Sequence, residues 1–145
     1  MDQKCTMTDA KKVVYTAKAH TTGGRESGVT RSSDGRLDIR LSLPGSPRIG
    51  TTPEHLFAAA WSACFESAIA LAAHKRNFRL PAAVAINAEV DLNQGDDGYF
   101  LSTRLNVSLP GVAREVAQTL VDEAHQICSY SKATRGNIDV VINLV

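Results

Sequence analysis

Cysteine is scarce in this chain, and its count is odd: Cys5, Cys64 and Cys128, at wide spacings. That excludes a disulfide framework. It points to a reducing cytoplasm, where a disulfide is more often catalytic than structural. Surplus charge of one sign is lacking too. With 16 basic and 15 acidic residues the net charge is +1, so no general field draws in nucleic acid or an anionic membrane. The opening MDQKCTMTDAKK has no apolar run, so no signal peptide is expected. No glycine-rich loop follows a strand and opens a helix, which removes the phosphate-cradling motifs. His125 and Cys128 have a spacing that could supply two zinc ligands, but no second Cys or His pair completes a set of four, so neither a metal nor a bound cofactor is expected. His20, His55 and His74 lack a Ser or Asp partner at motif spacing. Repeats, linkers and low-complexity tracts are absent as well. With 145 residues, 43% of them hydrophobic, the chain reads as one domain, residues 1–145, able to bury a core.

What is present is organised around TTPEHLFAAAWSACFESAIALAAH, Thr51–His74. Thr51 with Glu54 reads as a capping box, and Pro53 suits a first helical turn. From Leu56 to Ala73 only Ser62, Glu66 and Ser67 are polar. A surface helix would show a single apolar stripe. A membrane span would not have alanine for half of its apolar residues and a glutamate with two serines in its middle. A helix buried on most sides remains, with Cys64 near its centre. One sheet covers one side of such a helix, so a partner subunit is the simplest cover for the rest.

Around this helix the period is two. Residues 13–22, 26–32 and 37–43 read as strands, with Gly23-Gly24 and Asp34-Gly35 as turns. After Pro81, a strand from Val84 to Leu92 and an answering strand from Tyr99 to Leu109 flank a turn at Gln94–Gly98. Val112–Ile127 has helical spacing, with Val116, Leu120, Ala124 and Ile127 on one stripe. Cys128 falls at its end or just past it. Gly136-Asn137 turns the chain into a last strand, Ile138–Leu144. The order βββ-α-ββ-α-β predicts an α+β fold.

Cys64 and Cys128 are the first chemical candidates. A mid-helix cysteine is ordinarily inert core. Burial would raise its pKa, and no helix N-terminus is expected near enough to lower it. A reactive Cys64 therefore needs a cation. Arg25, after the shapeable Gly23-Gly24 turn, is the candidate, although an arginine in a turn is ordinarily solvated. Glu54 could hold that guanidinium by a bidentate pair as well as cap the helix. Ten residues of helix put Glu54 about 15 Å from Cys64, which favours a site drawn from two subunits. Phe57, Trp61 and Phe65 surround Cys64 within about one and a half turns. They are candidates for a substrate pocket suited to an apolar tail, although such residues also build cores. Cys5 is read as incidental.

The pieces YTAKAHTTGGRESG, TTPEHLFAAAWSACFESAI and CSYSKATRGNIDV resemble the organic hydroperoxide resistance (Ohr) proteins of the OsmC superfamily, in order and over nearly the whole chain. The resemblance implies an OsmC-like fold, with a central helix wrapped by sheets in an intertwined homodimer. It implies a thiol-dependent peroxidase acting on organic and fatty-acid hydroperoxides. In it Cys64 attacks the peroxide, Cys128 resolves the product into a disulfide, and Arg25 and Glu54 complete the site. It implies a dithiol reductant, the dihydrolipoyl group of lipoylated proteins. The family usually writes CPYS where this chain has CSYS, so Ser129 bears on the rigidity of the resolving loop. Glu66 is a second departure. An OsmC-type stress protein with weak peroxidase activity, or a redox or ligand-binding protein without turnover, would use the same thiols.

Overall fold

In the computed structural model, which describes residues 11–145, the chain falls into two units, one ending at Gly50 and one spanning Thr51–Val145. Cys5 lies outside the described residues.

The first unit is a small antiparallel sheet. Strands β1 (Ala19–Thr22), β2 (Val29–Ser32) and β3 (Asp38–Arg40) pair in that order. Asp34-Gly35 makes the expected hairpin turn. Gly35 takes a positive φ of 74°, and Ser32 Oγ accepts the Leu37 N–H at 2.9 Å. Three expectations need correction. Residues 13–18 form no strand: Val13, Val14 and Tyr15 are exposed, and alternation without a surface to pack on does not make a strand. Residues 26–32 do not form one strand either, because Gly24–Ser27 is a single helical turn, α1. The third strand keeps only three of its expected residues. Arg48 then ties the following loop down, with Nε donating to the Leu41 carbonyl at 2.9 Å and Nη2 to that of Gly28 at 3.1 Å.

The second unit opens with α2, Pro53–Lys75. The cap is one residue later than predicted. Thr52 is the N-cap and accepts the His55 N–H at 3.2 Å, so Glu54 is not the partner in a capping box. At the other end Asn77 takes a positive φ of 52°, and Phe78 N–H reaches back to the Ala73 carbonyl at 2.9 Å. This Schellman closure fixes where the helix stops.

A hairpin follows, β4 (Ala85–Gly95) and β5 (Gly98–Ser108), its register running from Ala85↔Ser108 to Gly95↔Gly98. The predicted five-residue turn is therefore a two-residue one, Asp96-Asp97. Helices α3 (Arg114–Ile127) and α4 (Ser129–Thr134) form the crossover to β6 (Asp139–Leu144), which lies parallel to β5. The α4 helix was not predicted. The buried stripe of α3 is Ala117, Leu120, Val121 and Ala124, while Val116 is exposed. The stripe is thus rotated from the predicted one.

The core sits between the sheet and the helices. Trp61, Phe65, Ala68 and Ile69 of α2 meet Leu105 and Val107 of β5 and the buried face of α3. Each large side chain buried there stabilises by about 1.5–3 kcal/mol. By length and composition α2 could cross a membrane, but this face lies in the core. The opposite face does not. Ala59, Ala63, Glu66, Ser67, Ala70 and Leu71 are exposed, so within one chain α2 is buried on one side only.

Candidate active site

Three neighbouring elements of the second unit build the site. Cys64 stands on the flank of α2, between its buried and open faces, and is partly accessible. Cys128 ends α3, its N–H bonded to the Ala124 carbonyl at 2.8 Å. Its ψ of 124° then breaks the helix, and the same residue is the N-cap of α4. One residue thus closes one helix and opens the next, and the thiol points out of that corner. Cys128 is buried and its sulfur lies 3.3 Å from that of Cys64. Both thiols are free. The two predicted cysteines are brought together, 64 residues apart in sequence.

Helix α4 is held on α2 by Trp61 and Phe57, which the sequence suggested for a substrate pocket, acting on Ser131 and Tyr130, which it did not flag. Trp61 Nε1 donates to Ser131 Oγ at 3.3 Å, both residues fully buried. Phe57 meets Trp61 edge-on at 5.6 Å between ring centroids and Tyr130 at 6.4 Å. Trp61 and Phe65 are wholly buried, whereas Phe57 is only partly so. Ser129 Oγ lies 3.4 Å from the Cys64 sulfur. The signal for these contacts was thin. SYSKAT has no apolar period, and only its position beside a cysteine singles it out.

The two thiols are pushed in opposite directions. Burial raises the pKa of Cys64, but hydrogen bonds from the Ser129 side chain, the Cys128 thiol and the backbone N–H groups of Tyr130 and Ser129 outweigh it, and the net shift is downward. The expectation that only a cation could activate Cys64 is therefore corrected: donors at the start of α4 do part of that work. Cys128 is shifted upward, chiefly by burial and also by its contact with Cys64, against the opposing pull of the Ser131 and Tyr130 donors. Of the two, the accessible sulfur is therefore the more readily ionised and the buried one the more readily kept as a thiol.

Arg25 belongs to the first unit, on α1, where it is exposed. Its loop is tightly made. Gly23 and Gly24 take positive φ values of 79° and 64°, and a Cβ on Gly28 would collide with the carbonyl oxygens of Gly24 and Thr22. Glu54 is partly buried in the first turn of α2. The helix is continuous from there to Cys64, so the about 15 Å separation along its axis stands. Among the described residues, no three His, Cys, Asp or Glu side chains converge as a metal-binding group.

Residues 43–143 match the family described as OsmC-like protein. An organic hydroperoxide resistance protein of Xanthomonas axonopodis pv. citri is 46% identical over 142 residues, covering 95% of this chain and 99% of its own. The organic hydroperoxide resistance protein OhrA of Bacillus subtilis is 40% identical over 136 residues, 90% of this chain and 96% of its own. The crystal structure of OhrB of Bacillus subtilis superimposes with a TM-score of 0.86 at 38% identity, covering 92% of this chain and 100% of that one.

Proposed function

The chain belongs to the OsmC-like family, in the branch of the organic hydroperoxide resistance (Ohr) proteins, and on that premise we propose that it is a thiol-dependent peroxidase reducing alkyl and fatty-acid hydroperoxides to alcohols. The observation that carries the reading is the pairing, at 3.3 Å, of an accessible thiol of lowered pKa with a buried thiol of raised pKa.

The chemistry follows from that asymmetry. The Cys64 thiolate attacks the distal oxygen of the hydroperoxide. An S–O bond forms, the O–O bond breaks, and the departing alkoxide takes a proton to leave as the alcohol. Cys64 is then a sulfenic acid. The Cys128 sulfur attacks it, the S–S bond forms, and the hydroxyl leaves as water with the Cys128 proton. An external dithiol exchanges with the disulfide and departs oxidised, returning both thiols. A dihydrolipoyl group on a lipoylated protein suits this step, because a slim arm reaches a half-buried disulfide better than a folded reductant does. The reducing cytoplasm keeps both thiols free between turnovers.

Arg25 supplies the cation that completes activation of Cys64, and Glu54 orients it. Their positions on the chain favour a homodimer whose sites use both subunits, and the open apolar face of α2 gives a second copy a surface to cover. Phe57, backed by Trp61 and Phe65, offers apolar surface to the tail of an organic hydroperoxide. Hydrogen peroxide gains nothing there, at about 25 cal/mol per Å² buried.

The test is a thiol count. One equivalent of an alkyl hydroperoxide should consume the Cys64 and Cys128 thiols together, with mass spectrometry finding the chain lighter by two hydrogens. Dihydrolipoamide should then sustain turnover. Retention of both thiols after the hydroperoxide overturns the reading.

A further inference from the structure

Cys64 receives two side-chain contacts from the same corner of the chain: the Cys128 thiol at 3.3 Å and the Ser129 hydroxyl at 3.4 Å. The two neighbours have different fates in the reaction. Cys128 gives up its proton and becomes covalently bonded. Ser129 is never consumed. Its main chain is fixed by its place at the start of α4, directly after the corner residue Cys128, and α4 is itself pinned by the bond from Trp61 to Ser131. A hydroxyl held there can donate to a sulfur anion in every cycle, whatever the state of Cys128.

We propose that Ser129 is a further catalytic residue of the peroxidase reaction, a standing hydrogen-bond donor to the Cys64 thiolate. The assignment rests on the peroxidase reading above and adds to it a residue that touches the reacting sulfur. The lowered pKa of Cys64, to which the Ser129 side chain contributes, agrees with this geometry.

A donor to a thiolate has two opposed effects. It raises the fraction of sulfur ionised at a given pH. It also makes each thiolate a weaker nucleophile, because nucleophilicity falls with pKa at a Brønsted slope of about 0.4–0.5. Below the thiolate pKa the first effect wins. Above it, where ionisation is complete, only the second remains. Removing the donor should therefore slow the reaction at low pH and quicken it at high pH, so that the two pH–rate curves cross. A residue that merely braces the loop would lower the rate by one factor at every pH.

On the three elements around this sulfur, the titratable groups nearest to it in sequence or nearest to the Cys128 corner are Glu66 on α2, His125 and Cys128 at the end of α3, and Tyr130 and Lys132 on α4. Of these, Cys128 contacts the sulfur through its side chain. The measurement is therefore best made in a Cys128→Ser background, where the Cys128 proton cannot enter the profile.

Single-turnover consumption of the Cys64 thiol by an alkyl hydroperoxide should be followed across pH with Ser129, Ser129→Ala and Ser129→Thr. Thiolate absorbance should be titrated in parallel without peroxide. A charge-assisted bond partly open to solvent leads us to expect Ser129→Ala to be about two- to fivefold slower on the acid side. On the alkaline side it should be about 1.5- to fivefold faster. Ser129→Thr should follow the parent. Superimposed absorbance titrations, or a uniform loss without crossing, overturn the assignment. If the parent thiol does not react with the hydroperoxide at all, the peroxidase reading falls instead, and the absorbance titration still decides whether Ser129 supports the thiolate.

Discussion

Cys64 and Cys128 belong to the same unit, with sulfurs 3.3 Å apart, yet their surroundings differ in nearly every respect. Cys64 lies on the flank of a long helix that is open on one side, and donors from the start of α4 converge on it. Cys128 is sealed in a corner between two helices. A few ångströms of displacement separate a sulfur whose pKa is lowered from one whose pKa is raised. The backbone and hydroxyl groups that face each sulfur bear on how readily it ionises, and burial of the helix as a whole is a poor guide to it.

Replacing the two cysteines in turn is the sharpest way to break this comparison. Cys64→Ser should abolish hydroperoxide turnover, because the remaining thiol is buried and biased towards its protonated form. Cys128→Ser should consume one equivalent and stop, leaving a Cys64 sulfenic acid that a dimedone probe traps and excess peroxide overoxidises. If the outcomes are reversed, with turnover surviving at Cys128, the assignment of roles is inverted.

Arg25 comes next in size. Arg25→Ala should slow the first step by about tenfold to a hundredfold, the yield expected of a charge-assisted contact to the thiolate. The loss should be smaller than that of Cys64→Ser, because donors at the start of α4 remain. Arg25→Lys should recover only part of the rate, since lysine lacks the fork that can meet sulfur and carboxylate together. Stopped-flow traces of the first turnover give the comparison, and an unchanged rate in Arg25→Ala would place activation with α4 alone.

The smallest effect concerns what holds the corner. Trp61→Phe keeps most of the core volume but removes the donor to Ser131, leaving a buried hydroxyl short of a partner. The cost should be about 1–3 kcal/mol in stability, read by denaturant unfolding. The sulfenic acid should live longer before Cys128 closes on it, because α4 is less firmly seated. Lost stability with an unchanged lifetime would mean that the Trp61–Ser131 bond serves the core only.

How far the sequence reached can be judged on these same residues. The long apolar helix, the alternating strands after Pro81 and the final strand were legible because each has a period that survives folding. Cys64 and Cys128 were legible as a pair through resemblance. Their environments were not. SYSKAT becomes a helix because Trp61 and Phe57 hold its residues from outside, and no local period announces that. The Val13–Lys18 alternation is a strand pattern with no strand, since pairing depends on what lies beside the segment. The cap at Thr52 instead of Thr51 is a shift of one residue, below what pattern reading resolves. It matters because it releases Glu54 from a capping role.

The parallel docking of β6 on β5 also bears on how the protein is born. Cys128 sits in the crossover between these two strands, and the closing register pairs Ser102 with Asp139 and Val107 with Leu144. Antiparallel hairpins form as soon as both arms leave the ribosome, but a parallel pair must await the whole crossover. While the nascent chain emerges, Cys64 appears 64 residues ahead of Cys128. A chain caught at that stage lacks both the buried thiol and the α4 hydroxyl that face Cys64 in the finished fold, so the two sulfurs acquire their different surroundings together, late in synthesis.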